Sequence, residues 1–78
     1  MKSKFKFIVN SAEGVGCVFS PIGKKRKPRG YRITHQRLGR KATIRRDDGV
    51  WLISYRLISV ATRSKTEAAM AALYFIAP

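Results

Sequence analysis

The chain has 78 residues, 45% of them hydrophobic, which is enough for one small domain with its own core and excludes a disordered chain. The 17 Lys and Arg residues against 4 Asp and Glu give a net charge of +13, and a charge of this density attracts polyanions through counterion release. A single Cys and a single His exclude an internal disulfide and a zinc site built from these residue types.

Residues 1–23 are expected to form an N-terminal β-hairpin. Residues 2–10 and 15–20 alternate along the chain, and Ser-Ala-Glu-Gly at 11–14 favours a turn between them. The hairpin would contribute three rings to the core: Phe5, Phe7 and Phe19. Its apolar run is too short for a signal peptide, and no segment approaches the ~20 apolar residues of a membrane span. We therefore expect a cytoplasmic protein without a membrane partner, nucleoid-associated if it is bacterial or phage-encoded.

Residues 24–30 form a basic segment with the sequence KKRKPRG, which no acidic residue offsets. Such a run cannot pack in a core, so it predicts a mobile arm or loop. Pro-Arg-Gly at 28–30 resembles the centre of an AT-hook, in which the glycine lets the backbone enter the minor groove beside an arginine. We expect this segment to contact nucleic acid through Lys24, Lys25, Arg26, Lys27 and Arg29.

Residues 31–63 are predicted to form an antiparallel sheet, because the chain alternates at 31–36, 43–46, 50–57 and 58–63. Asp48-Gly49 favours a tight hairpin, since both residues tolerate a positive φ. The link at Leu57-Ile58 has no Gly or Asn, so a bulge and a tight turn both fit. His35 has no nucleophile or carboxylate in register with it, which argues against a catalytic role.

Residues 64–77 are predicted to form a C-terminal helix. Ser64 and Glu67 have the spacing of a capping box, and no Gly or Pro interrupts the segment that follows. No charged residue follows Glu67, and a helix that is apolar on all sides is normally covered on more than one. We expect the N-terminal hairpin, or a second copy of the chain, to cover it. The predicted fold is a single α+β domain, in which a small antiparallel sheet of three to five strands packs on one C-terminal helix.

A side-chain period of two fixes which strand residues share a face of the sheet. The apolar set is expected to pack under the helix: Tyr31, Ile33, Ile44, Trp51, Ile53, Tyr55, Ile58 and Val60. The opposite set contains four arginines, several hydroxyls and no carboxylate: Arg32, Thr34, Gln36, Thr43, Arg45, Ser54, Arg56, Ser59 and Arg63. Arginine can bind phosphate or a guanine edge with two hydrogen bonds, so we expect this face to bind nucleic acid.

Residues 43–73 resemble a known group of DNA-binding domains. The motifs TIRRDDGVWLISYR and RSKTEAAMAAL are similar to the arm-site domain of phage and transposon tyrosine integrases and to the plant ethylene-response-factor domain. The resemblance implies three strands and a helix, with the free sheet face in a DNA groove and a basic arm before the first strand. Residues 1–23 have no counterpart there and no recombinase domain follows. An accessory or regulatory protein of a phage or mobile element is therefore expected rather than a recombinase.

Two other functions fit the same sequence. Residues 63–73 also resemble the last helix of double-stranded-RNA-binding domains, whose N-terminal lysines bind major-groove phosphates. That family requires an N-terminal helix, which is not expected here, so RNA binding, to duplex RNA or on the ribosome, ranks below DNA. The third function is that of a small phage-type protein that binds and inhibits a host protein, with the apolar helix as the docking surface or as the seam of a dimer. No set of residues indicates an enzyme or a cofactor site.

Overall fold

The computed structural model describes residues 4–77, which form a five-stranded antiparallel sheet and two helices. The strands are ordered in the sheet as they are in the chain. The elements are α1 (Lys4–Glu13), β1 (Cys17–Gly23), β2 (Pro28–His35), β3 (Lys41–Asp47), β4 (Val50–Tyr55), β5 (Ile58–Thr62) and α2 (Lys65–Ile76). The predicted α+β class, with an antiparallel sheet packed on a C-terminal helix, is confirmed.

The prediction of an N-terminal hairpin is wrong, because residues 4–13 form helix α1 instead of a first strand. Phe5, Ile8 and Ala12 follow helical spacing as well as Phe5 and Phe7 follow strand spacing. A strand would place Ile8 and Ala12 on the side of the lysines, whereas the helix buries Phe5 and Ala12 together and leaves Phe7 72% exposed. The start of the predicted strand, residues 2 and 3, lies outside the described residues.

Helix α1 packs against α2 and β1. It therefore provides part of the cover that the apolar α2 requires, which was expected from a hairpin or from a second copy of the chain; Met70 and Tyr74 of α2 remain exposed. Phe5 completes the contact with the sheet, since its ring centroid lies 5.7 Å from that of Phe19 and 4.8 Å from that of Tyr31. Two of the three predicted core rings are thus in place.

Helix α2 begins as predicted, with Ser64 as its N-cap. The Ser64 hydroxyl accepts a hydrogen bond from the Glu67 N–H at 3.2 Å. The Glu67 carboxylate does not return to the Ser64 amide as in a complete capping box, but accepts a hydrogen bond from the Thr62 hydroxyl at 2.8 Å. The cap consequently links the end of β5 to the first turn of α2.

The core lies between the two helices and one face of the sheet. Its largest fully buried apolar side chains come from β2, β3, β4 and α2: Ile33, Ile44, Ile53 and Ile76. The buried side of α2 otherwise consists of alanines, Ala68, Ala69 and Ala72. Because these side chains are short, the helix backbone can approach the sheet closely and the isoleucines fill the space between them.

Two tight turns connect the last three strands. Asp48 and Gly49 both have a positive φ, 52° and 78°, which confirms the hairpin expected from Asp-Gly. The connection from β4 to β5 is also a tight turn: Tyr55 pairs with Ile58, and Arg56 and Leu57 form the link. Arg56 adopts a positive φ of 55° there.

Candidate nucleic-acid interface

Both helices pack on the same side of the sheet, so within residues 4–77 no element covers the opposite side. The strand register aligns one residue from each strand in a row across this side: Ser20, Arg32, Thr43, Ser54 and Ser59. Arg45 and Lys41 belong to the same side, because they alternate with Thr43 along β3. We call this surface the open face; its cations are Arg32, Lys41 and Arg45, and its hydroxyls are Ser20, Thr34, Thr43, Ser54 and Ser59.

The cations of the open face are exposed. In the part of the chain that the structure describes, no Lys or Arg forms an ion pair with an Asp or Glu. Asp47 ends β3 in phase with Arg45, so the open face has a carboxylate at its rim, where the sequence indicated none. Like charges held on one surface without ion-pair partners repel one another, and an anion bound there would relieve that repulsion.

Three of the binding residues that were predicted to lie on the polar face of the sheet lie outside the strands. Gln36 is in the turn after β2, where its N–H donates a hydrogen bond to the Gly16 carbonyl at 2.9 Å. Arg56 is in the turn after β4, with its guanidinium 5.6 Å from the centre of the Tyr55 ring. Arg63 lies between β5 and α2. The prediction extended the strands too far, and alternation ceases to assign a face once a strand has ended.

The basic segment 24–30 is not a free arm. Only Lys24–Lys27 form a loop, which joins β1 to β2, and Pro28, Arg29 and Gly30 belong to β2. A Cβ on Gly30 would overlap the Ile44 carbonyl oxygen. Close packing of β2 on β3, rather than entry into a minor groove, therefore accounts for this glycine.

Two residues of the open face were missed by the sequence analysis. Lys41 lies just before the strand predicted at 43–46, although Lys41, Thr43 and Arg45 alternate and β3 includes all three. Ser20 was assigned to a separate hairpin, and it joins the face because β1 pairs with β2 so that Ser20 lies opposite Arg32. The position of Lys41 could be predicted from the local alternation, whereas the position of Ser20 depends on the pairing of β1 with β2, which no local pattern specifies.

His35 and Cys17 are structural residues that pair with each other across β1 and β2. His35 is 1% exposed, and its Nδ1 accepts a hydrogen bond from the Leu38 N–H at 3.0 Å, which fixes the turn after β2. Its Nε2 is buried without a partner. Burial raises the pKa of the Cys17 thiol above its ordinary value, because the thiolate would lose hydration. Among residues 4–77 no cluster of three or more acidic, His or Cys side chains could hold a metal ion.

An apolar groove of about 550 Å³ remains open between α1 and α2. Two large side chains at its edge are mostly exposed, Phe7 at 72% and Met70 at 57%. The groove lies on the helix side of the sheet, away from the open face. The molecule therefore has two distinct surfaces, a basic one on the sheet and an apolar one between the helices.

Comparison of the chain with protein-family models, with curated proteins and with solved structures found no match. Neither helix within residues 4–77 is long and apolar enough to cross a membrane.

Proposed function

We propose that the protein binds duplex nucleic acid, DNA in first place, through the open face and the Lys24–Lys27 loop, and that it acts as a binding protein rather than an enzyme. The observation that carries the proposal is a five-stranded face that carries three cations and five hydroxyls; within residues 4–77 no element covers this face and none of its cations forms an ion pair. DNA is preferred because residues 43–73 resemble DNA-binding domains. The same resemblance favours an accessory or regulatory role in a phage or mobile element, and we propose that the protein acts in the cytoplasm.

The width of the sheet constrains how it meets DNA. Five strands spaced ~4.8 Å apart span about 19 Å, whereas the major groove of B-DNA is about 12 Å wide. The whole face cannot enter the groove, so we propose that it lies across the groove and contacts phosphates on both sides. Binding of this kind depends little on base sequence, because phosphate contacts carry no sequence information.

The proposal predicts a steep salt dependence. The open face and the adjoining loop and strand together offer six cations: Lys24, Lys27, Arg29, Arg32, Lys41 and Arg45. If each open-face cation neutralises one phosphate, and the loop and strand cations share the phosphate bound by Arg45, the slope of log K against log salt is about −3. Affinity then falls roughly 40-fold between about 50 and 200 mM salt. The measurement is fluorescence anisotropy with a labelled duplex DNA, a single strand and a duplex RNA at both salt concentrations. Absence of binding at the lower salt concentration would refute the proposal.

A matched pair of variants tests which surface binds. Arg32→Gln/Lys41→Gln removes two charges from the open face, and Lys4→Gln/Lys6→Gln removes two from α1 on the other side of the sheet. All four residues are exposed, so both variants should keep the fold. We expect the first variant to lose roughly tenfold or more in DNA affinity and the second to lose much less.

Duplex RNA is the second candidate ligand, and helix α1 is the observation that favours it. An N-terminal helix is the feature that double-stranded-RNA-binding domains require and that the sequence analysis did not expect. Lys65, at the start of α2, does not extend toward solvent in the way the resemblance implies, because its ammonium lies 4.1 Å from the Phe5 ring centre. RNA binding would be supported if the wild type prefers duplex RNA and if this preference is lost in Lys4→Gln/Lys6→Gln but kept in Arg32→Gln/Lys41→Gln.

Binding of a protein, or of a second copy of the chain, is proposed only for the groove between α1 and α2. The exposed Phe7 and Met70 would be covered by such a partner. Sedimentation of the free chain tests self-association, and Phe7→Ser/Met70→Ser should abolish any dimer that forms through the groove. A wild-type chain that sediments as a monomer would exclude a second copy of the chain as the occupant of the groove.

A further inference from the structure

Two adjoining concavities lie at the end of the sheet where the Lys24–Lys27 loop meets β3. The first, about 420 Å³, is lined by Ile22, Gly23, Lys24, Lys27, Arg29 and Arg45. The second, about 350 Å³, is lined by Arg29, Arg45, Arg46, Asp47 and Leu52. Arg29 and Arg45 therefore form the wall between them. The first concavity contains four cations and no carboxylate, and the second contains Asp47.

A β-bulge positions Arg29. Ile22 pairs with Gly30 and Gly23 pairs with Pro28, so Arg29 is an extra residue on β2 without a partner on β1. Gly30 lies opposite Arg45 and allows β2 to approach the backbone of β3 closely, which brings Arg29 beside Arg45. The stem of Arg29 also passes over Gly23, since a Cβ there would lie 3.7 Å from the Arg29 Cγ. The bulge and the close approach of the strands thus bring Arg29 and Arg45 to the lining of the same concavities.

We infer that Arg29 and Arg45, with Lys24 and Lys27, form one binding site for a backbone phosphate of the nucleic acid, an inference that rests on the proposed function. Four cations around one concavity repel one another and have no carboxylate partner, so an anion is the ligand that lowers their energy. Guanidinium groups bind phosphate oxygens through paired hydrogen bonds, and the lysines add point charges. The phosphate occupies the first concavity, because Asp47 would repel it in the second.

The site divides the basic segment into two functional groups. Lys27 and Arg29 line the concavity, whereas the adjacent Lys25 and Arg26 do not, although all four are exposed. Lys27→Gln/Arg29→Gln and Lys25→Gln/Arg26→Gln therefore remove one lysine and one arginine charge each, the first variant inside the site and the second outside it. This pair separates a built phosphate site from a general effect of net charge.

The first measurement is the affinity for a duplex DNA as a function of salt. Lys27→Gln/Arg29→Gln should weaken binding roughly 10-fold to 100-fold at about 50 mM salt and reduce the salt slope by about one, which is the value for one phosphate. The fold loss of affinity in Lys25→Gln/Arg26→Gln should be less than a third of the fold loss in Lys27→Gln/Arg29→Gln. Equal losses in the two variants would overturn the site while leaving the proposed function standing. If the wild type binds no duplex, both the function and the inference fail.

The second measurement uses inorganic phosphate alone and follows the thermal midpoint at constant ionic strength against chloride. At about five times its Kd, phosphate should raise the midpoint by about 4–8 °C in the wild type and in Lys25→Gln/Arg26→Gln, and by clearly less in Lys27→Gln/Arg29→Gln. Equal shifts in all three chains would overturn the site. The last comparison measures binding to phosphatidylserine vesicles. If Lys27→Gln/Arg29→Gln weakened binding to vesicles but not binding to duplexes, the assignment of the site to nucleic acid would be overturned.

Discussion

Lys65 lies among three aromatic rings, and removing its charge tests how α1, the sheet and α2 are joined. Its Nζ is 4.1 Å from the ring centre of Phe5 on α1, 5.2 Å from that of Tyr31 on β2 and 6.0 Å from that of Trp51 on β4. Lys65→Met keeps an apolar side chain of similar length and removes the ammonium. The variant therefore separates the cation–π attraction from the packing of the stem.

The expected magnitude comes from two opposing effects. A half-buried ammonium near a ring centre contributes about 1–1.5 kcal/mol, between the values for exposed and desolvated pairs. A cation in the first turn of a helix is unfavourable by about 0.3–0.5 kcal/mol, because the N-terminus of α2 is the positive end of its dipole. The cation–π attraction is larger, so we expect Lys65→Met to lower the free energy of unfolding by about 0.5–1 kcal/mol.

Urea unfolding at constant ionic strength measures this loss, with the fluorescence of the single Trp as the signal. Lys6→Met is the control for net charge. It removes one exposed positive charge from α1 and so lowers the repulsion among the cations by a similar amount. A double-mutant cycle with Phe5→Leu should give a coupling of about 0.5–1 kcal/mol between Phe5 and Lys65. A coupling of zero, or a Lys65→Met chain as stable as Lys6→Met, would refute the reasoning.

Three further predictions concern single residues of the fold. Gly30→Ala should destabilise the chain by about 2–4 kcal/mol, because the added methyl meets the backbone oxygen of Ile44, and a circular-dichroism melt that matches the wild type would contradict this explanation. Ser64→Ala should cost about 1 kcal/mol in urea unfolding through loss of the N-cap, whereas Ser64→Asp, which keeps an acceptor, should remain close to wild type. The Cys17 thiol should react with an aromatic disulfide at least about 10³-fold more slowly in the native chain than in urea, because it is fully buried and its raised pKa leaves little thiolate. Native and unfolded rates that agree would show that Cys17 is accessible.

The opposite sides of the sheet differ in what they require of the sequence. The helix-covered side needs apolar side chains at fixed positions, and the isoleucines of β2, β3 and β4 meet the alanines of α2 there. Within residues 4–77 no element packs on the open face, so packing does not restrict which side chains occupy its positions. Among the described residues, the cations of that face form no ion pair.

Several features followed from the sequence because their signals are local. The Asp48-Gly49 hairpin needs only two residues that tolerate a positive φ, and both adopt one. Helix α2 follows from Ser64, from the spacing of Glu67 and from an uninterrupted run of helix-forming residues. Alternation along β2, β3 and β4 placed Arg32, Arg45 and Ser54 on one face, and the strand register confirms that placement.

Other features were decided only by tertiary structure. The segment 4–13 fits strand and helix spacing alike, and only the contact with α2 and the sheet selects the helix. Whether Arg56 lies on a strand or in a turn depends on where β4 ends, which the pairing of Tyr55 with Ile58 determines. The convergence of Arg29 and Arg45 requires a bulge, a glycine and the register of two strands together. The sequence by itself thus determined the charge, the C-terminal helix and the polar face, because each depends on neighbours in the chain, and packing between distant segments decided the rest.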